Sequence, residues 1–523
     1  MRAVTLTLTA ILTIAFSLPA IEREPREPST RLPWKEAGLT EREAAAHLLN
    51  RFAYGPRPGE VDAVVKMGLD RWLERQLAAD LPDRELERRL DSLPVLEMSA
   101  SEIARTYPRP GMLRAEASRA GVIPENKEEV DKKERREAVM RWASQQGYRS
   151  QRELASQLTA QKLWRAVESE NQLAEVMTDF WFNHFNVSMT DNQSRGHLLS
   201  YERDAIRPNA LGRVRDLLGA TARHPAMLLY LDNARSNARR GLNENYAREL
   251  MELHTLGVDG GYTQKDVVEV ARAFTGWTVL PREGEFLFRP AAHDAGAKTV
   301  LGRKLSARGV EEGEAVLDLL AVHPSTAKHL ATKLAVRFVS DKPSQALIER
   351  LAAVYLKSGG QVKPVLQEIA GSPEFWSREA LGAKIKSPFE LAASALRGLD
   401  AEVKDPRETL RWIADMGQKL YAYQAPTGYP DRAEAWVNTG SLLSRMNFGL
   451  ELAGGRVRGV DFDFAALNGG KKTGESLRFY AERLLPGRDL KPALALMEPK
   501  VSTSEAPEQV VGVILGSPEF QRR

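Results

Sequence analysis

The 523-residue chain contains no cysteine. That excludes disulfides, zinc–cysteine sites, a thiol nucleophile and a lipidated cysteine anchor. Histidine is scarce, with 8 in the chain. A metal would therefore be held by carboxylates, amides or these few imidazoles, a donor set that suits Mg, Ca, Mn, Zn or non-haem Fe. Net charge is +4, close to balance, which gives no electrostatic case for nucleic acid. The G-x-S-x-G elbow, H-E-x-x-H, Walker A, G-x-G-x-x-G after a strand and the EF-hand loop are all missing. The common hydrolase, zincin and nucleotide readings lose their usual support. Beyond the first twenty or so residues, no apolar run approaches membrane-spanning length.

What is present is a globular composition, 43% hydrophobic and 28% charged, in a chain long enough to bury a core without staples. The opening "MRAVTLTLTAILTIAFSLPA" places Arg2 before an apolar run that ends in Ser-Leu-Pro-Ala. This is the pattern of a secretory leader cut near Ala20, so we expect export to a periplasm or the exterior. Residues 21–38, rich in Pro and charge, read as a tether, and residues 39–523 as one helical domain. Thr40 and Glu43 form a capping box at the first helix. Residues 125–137, "ENKEEVDKKERRE", read as a solvated helix or insertion. Apolar residues recur at helical spacing through most of the rest. One β-like segment interrupts them: Phe286 and Phe288 alternate, and Val300 and Leu301 return as the second arm of a small hairpin. "IAGSPEFW" at 369–376 echoes "ILGSPEFQ" at 514–521, each Gly-Ser-Pro reading as a helix stop and restart. The expected fold is mainly α, a large multi-helix body with one small β-hairpin.

Several phrases together resemble one family: "HLLNRFAYGP", "DFWFNHFNVS", "HPAMLLYLDN", "NENYARELMELHTLGVDGGYTQKDVVEVARAFTGW", "HDAGAKTVLG" and "HPSTAKHLATKLAVRFVSDKP". They are similar, in order and over nearly the whole of residues 40–523, to the bacterial domain of unknown function 1800 family. The resemblance implies a large, often exported protein. It also implies a genomic neighbour from the 1501 family, which is similar to sulfatases and alkaline phosphatases. It implies no reaction.

Candidate site residues come from local chemistry. At 100° per residue, Asn245, Arg248, Glu249 and Glu252 share one helical stripe. The paired carboxylates can grip a cation or share a proton. Glu–Arg pairing on a solvated face is the alternative. Gly257, Gly260 and Gly261 then permit a turn, with Thr263 as N-cap and Asp266 at N3. In "DFWFNHFNVS", His184 sits among aromatics beside Asn183 and Asn186. Trp181, Asn183, Asn186, Asn245 and Trp277 suit a carbohydrate site, through stacking and hydrogen bonds; core packing is the competing use for the rings. His293-Asp294 can ligate metal with Glu249 and Glu252, act as an acid–base pair, or simply build a turn with Asp capping. His323-Pro324 reads as a capped helix N-terminus, with Lys333 and Arg337 near enough to help hold an anion. Two functions stand. One is an enzyme assisted by a divalent metal, acting on envelope or extracellular glycan-like polymer through Glu249, Glu252, His184 and Arg248. The other is a non-enzymatic envelope binding or scaffold protein that partners the 1501-family neighbour.

Overall fold

Helices follow the apolar periodicity almost throughout a computed structural model that describes residues 31–123, 132–280, 283–306, 308–467, 477–501 and 507–523. The leader, residues 21–30 of the tether and residues 125–131 of the charged insertion lie outside the described residues. Among the described residues no helix is long and apolar enough to cross a membrane.

The first long helix, Glu41–Phe52, starts at the expected box: Glu43 N donates to Thr40 Oγ1 (3.2 Å) and Thr40 N to Glu43 Oε2 (2.7 Å). Order begins earlier than Leu39, because Leu32 is buried and Trp34 packs on the core. The end of the charged insertion joins the helix Lys132–Gln145. That helix pairs with Pro110–Arg119 around Leu113, Ala117, Val139 and Ala143, a satellite core apart from the main one. The Gly-Ser-Pro restarts are as expected: Ser372 caps Phe375 N at 3.4 Å and Ser517 caps Phe520 N at 3.2 Å. Imidazoles cap two helices, with Ala226 N donating to His224 Nδ1 and Ser325 N to His323 Nδ1.

The single expected hairpin is replaced by several two-stranded ladders. Phe286–Phe288 pairs with Trp277–Val279, not with the 299–301 segment, which instead pairs Thr299–Val300 with Arg303–Lys304. A third ladder joins Glu402–Val403 to Val460–Asp461. The alternation of Phe286 and Phe288 identified a strand, but its partner lay in an apolar run that ended a helix.

With no disulfide available, buried guanidinium groups tie distant segments through backbone carbonyls. Arg51, fully buried, donates to Phe338 O (3.2 Å) and Ala380 O (2.5 Å). Arg397, 2% exposed, donates to Gly55 O (2.7 Å), Val167 O (3.0 Å) and Glu60 Oε2 (3.0 Å). His47 Nε2 lies 2.9 Å from Phe375 O, and Lys386 N donates to Gln521 O at 2.9 Å. The N-terminal helix and the C-terminal strand of chain thus close on the same central helices.

Removing such a tie strands buried polar groups. Arg397→Met is expected to lower stability by about 3–5 kcal/mol in urea unfolding. A loss below about 1 kcal/mol would show that the tie is incidental.

Candidate functional site

A pocket of about 280 Å³ opens beside Lys162 of the helix Gln151–Glu168, between four further parts of the chain. These are the C-terminal half of the helix Gln172–His184, the last turns of Pro324–Phe338, the start of Pro388–Gly398 and the segment 418–436. The segment reads "YAYQAPTGYPDRAEAW" over 421–436. Its prolines and glycine break helix, so it crosses the helices as a loop.

Asn183 and Asn186, expected to bind substrate, line this pocket and also hold the loop. Asn183 Nδ2 donates to Tyr429 O and Tyr429 N donates back to Asn183 Oδ1, both at 2.7 Å. Asn186 Nδ2 donates to Tyr423 O (3.1 Å) and Ala425 O (2.7 Å). Gly428 makes the approach possible. It has φ +69°, and a Cβ there would lie 2.1 Å from Asn183 O. Aromatic rings wall the pocket: Phe182 meets Tyr421 edge-on at 4.7 Å, and Tyr429 meets Trp436 at 5.6 Å.

The charges lining the pocket fall into two classes. Most are satisfied by one another. Lys162 Nζ lies 2.7 Å from Asp179 and 3.7 Å from Glu202, which also accepts from Tyr421 OH (2.6 Å) and Gln161 (2.7 Å). Burial works against the Lys162 charge, but Asp179 and Glu202 outweigh it and hold the ammonium on. Arg337 pairs with Glu390, and Arg523 lies 3.2 Å from the same carboxylate. Burial alone would raise Glu390; Arg337 and Arg523 pull it down to about 2. Asp431 lies 3.5 Å from Lys384 and 3.6 Å from Arg523.

Two cations are different. Lys333 and Arg432 line the pocket and form no hydrogen bond or ion pair with the described residues. Arg432 is exposed. Lys333 is partly buried, and burial pushes it down to about 8 against the support of Asp431.

Behind Lys333 three imidazoles gather. The ring of His184 lies 6.0 Å from that of His254 and 6.1 Å from that of His329. Burial, then the Lys333 charge, depresses all three, with His254 near 3 and His329 near 4, so they stay neutral at physiological pH. The main chain between them is unusual. The helix Asn245–Glu249 widens into a π-helical turn over Leu250–Thr255, where Thr255 Oγ1 donates to Leu250 O at 2.6 Å. The turn offers Leu253 O to His329 Nε2 and His254 O to His184 Nε2, each at 3.1 Å. Gly257, at φ +83°, follows so closely that a Cβ would sit 3.0 Å from His329 Nδ1.

His184 is therefore the expected catalytic residue that borders the pocket. The others lie elsewhere. Arg248 bonds Glu244 (3.1 Å) and Gln264 (3.0 Å), a surface pairing. Glu249 and Glu252 are partly buried neighbours outside the pocket; burial and then the Glu252 charge raise Glu249. Asn245 is exposed. Asp294 is committed to Arg272 at 2.8 and 3.0 Å, which pulls it to about 2. His293 lies 2.9 Å from Thr275 O and 3.2 Å from Glu312. Glu249 and Glu252 thus do not join His293 and Asp294, and no group of three or more His, Asp or Glu suited to a metal forms among the described residues. Trp181 and Trp277 are fully buried and present no face to a sugar ring. Trp181 Nε1 donates to Ala210 O at 2.9 Å, and Trp277 packs on Phe274 and Phe286 at 4.9 and 5.1 Å. Both are core anchors.

The residues missed by sequence reasoning are Lys333 as an unpaired group and the loop aromatics Tyr421, Tyr429 and Trp436. The usable signal was a run of Tyr, Pro and Trp in an otherwise helical stretch.

The model of one family, described as "Protein of unknown function (DUF1800)", matches residues 47–522. No curated protein matches the chain, and no solved structure does.

Two measurements check this account. Asn183→Ala removes both bonds to Tyr429, so the Tyr429 amide is expected to exchange hydrogen roughly tenfold faster or more, with the helix beneath unchanged. Unaltered exchange would show that the loop is held by other contacts. Glu249→Gln tests a structural against a catalytic role. A raised carboxyl pKa means the folded state resists ionisation, a penalty absent well below the usual carboxylate range and complete once pH exceeds the raised value. The variant should therefore gain Tm at about pH 7 and gain none at about pH 3.

Proposed function

The chain belongs to the DUF1800 family of proteins of unknown function, and from its pocket we propose that it binds an anionic, carbohydrate-like ligand end-on. The observation that carries this reading is the Lys333 amine, unpaired among the described residues and lining an aromatic-walled pocket. A buried cation without an anion is costly, and an acidic ligand supplies the missing partner. Arg432 at the exposed edge offers a planar fork for a carboxylate or similar group. The rings of Tyr421, Tyr429 and Trp436 suit the flat faces of a sugar, and the paired charges around them suit its hydroxyls.

At about 280 Å³, the pocket sits near the low end of ordinary small-molecule sites, roughly 300–1,000 Å³. It takes one or two sugar rings rather than a long strand. An acidic terminal residue of an envelope or extracellular glycan, or a free sugar acid, is the ligand class. The leader-like N-terminus supports such a location. The reading needs no metal and moves the site from Glu249 and Glu252 to the pocket containing His184.

Calorimetry with glucuronate, and with glucose as neutral control, tests it. The wild type should bind glucuronate and bind glucose more weakly. Lys333→Met should weaken glucuronate roughly ten- to hundredfold, the value of a charge-assisted bond of about 1.5–3 kcal/mol. Lys333 carries its proton below about 8 and loses it above. Affinity should therefore hold below that pH and fall as pH rises through it, by up to about tenfold per unit. Lys333→Arg keeps its charge and should abolish the decline. Equal binding of acid and neutral sugar would sink the proposal.

A further inference from the structure

We propose that Lys333 Nζ is a nucleophile, and that it condenses with the carbonyl carbon of a ligand that also bears a carboxylate, the open-chain aldehyde of a uronic acid being the fitting class. The inference rests on the pocket reading above and adds a covalent step to it.

An amine attacks a carbonyl only with its lone pair free. Nothing in this pocket holds the third proton on Lys333. It has no hydrogen bond or ion pair with the described residues. The imidazoles beside it are neutral and their own charged forms are opposed by it. Asp431, the one acid that supports its charge, is shared among Arg337, Lys384 and Arg523. Lys162, in the same pocket, shows the contrast: Asp179 and Glu202 lock its proton on. The same walls thus contain one lysine built to stay charged and one left able to discharge.

Burial places Lys333 near 8. At neutral pH about a tenth of it is free amine, against less than about a thousandth of an ordinary lysine near 10.4. A lysine desolvated in this way is the usual form of an imine-forming residue. In the step itself, the nitrogen lone pair forms the C–N bond and the C=O π pair moves to oxygen. The resulting carbinolamine loses that oxygen as water, which takes both amine hydrogens, and leaves a C=N bond. No oxidant or reductant is needed, and hydrolysis reverses the step. His184, whose Nδ1 is buried with no hydrogen-bond partner among the described residues, borders the pocket as a neutral imidazole and leaves the Lys333 lone pair uncontested. Arg432 stays free to hold the carboxylate while Lys333 reacts.

The test is reductive trapping on the full chain. Glucuronate, or glyoxylate as a carboxylate-bearing aldehyde with no ring to open, is added with cyanoborohydride near neutral pH, and modified lysines are mapped by peptide mass spectrometry. The expected result is labelling of Lys333 roughly tenfold or more above Lys328, an exposed lysine on the same helix. Lys333→Arg should lose the label yet still bind glucuronate by calorimetry, which separates the amine's reactivity from its charge. Binding without enrichment at Lys333 overturns the nucleophile and leaves the pocket reading standing. Failure of the wild type to bind glucuronate overturns both.

Discussion

The side-chain amides of the helix Gln172–His184 and its end hold the loop that closes the pocket. Asn183 closes a two-bond ring with the backbone of Tyr429, and Asn186 repeats the grip one turn later on Tyr423 and Ala425. An amide can donate and accept at once, so it reproduces for a loop what a neighbouring strand would offer. Without disulfides, the chain relies on such bonds from side chains to distant carbonyls. Gly428 is part of the device, since any larger residue would push the loop off Asn183.

Once the loop is fixed, electrostatics sorts the residues beneath it. Burial opposes the charges of Lys162 and Lys333, and the outcome depends on whether acids are close enough to compensate. Lys162 has two carboxylates and keeps its proton more firmly than usual. Lys333 has one distant, shared carboxylate and keeps it less firmly. Two lysines lining one pocket thus have opposite chemistry, with no difference in residue type to announce it.

That contrast marks the limit of what the sequence made legible. Capping boxes at Thr40 and Thr263, the His-Pro helix starts and the Gly-Ser-Pro restarts are local rules, and they read correctly. The helical character of the chain followed from periodicity. Strand pairing did not, because Phe286 and Phe288 found Trp277–Val279 instead of the later segment. The stripe of Asn245, Arg248, Glu249 and Glu252 assumed an ideal α-helix, whereas the π-helical turn at Leu250–Thr255 alters the register through Glu252. Trp181 and Trp277 show why ring type alone is ambiguous: burial, not identity, assigns them to the core. His184, singled out among its aromatics, borders the pocket, whereas Lys333, read only as a helper at the His323-Pro324 helix start, stands out once its lack of partners among the described residues is visible. Pairing across more than a hundred residues leaves no local trace.

The arginine ties also bear on how the chain reaches this state. Arg51 rests on Ala380, and Arg523 N donates to Lys384 O at 2.8 Å. The first helix and residue 523 therefore close on the same short stretch. Contacts of such long sequence separation form late and slowly, because loop closure precedes any reward. During synthesis the first helix waits 287 residues for Phe338 and 329 for Ala380 before its buried guanidinium has both acceptors. Until then Arg51 is a charge that favours water over the core. The same group that locks the finished molecule delays its closure until most of the chain is available.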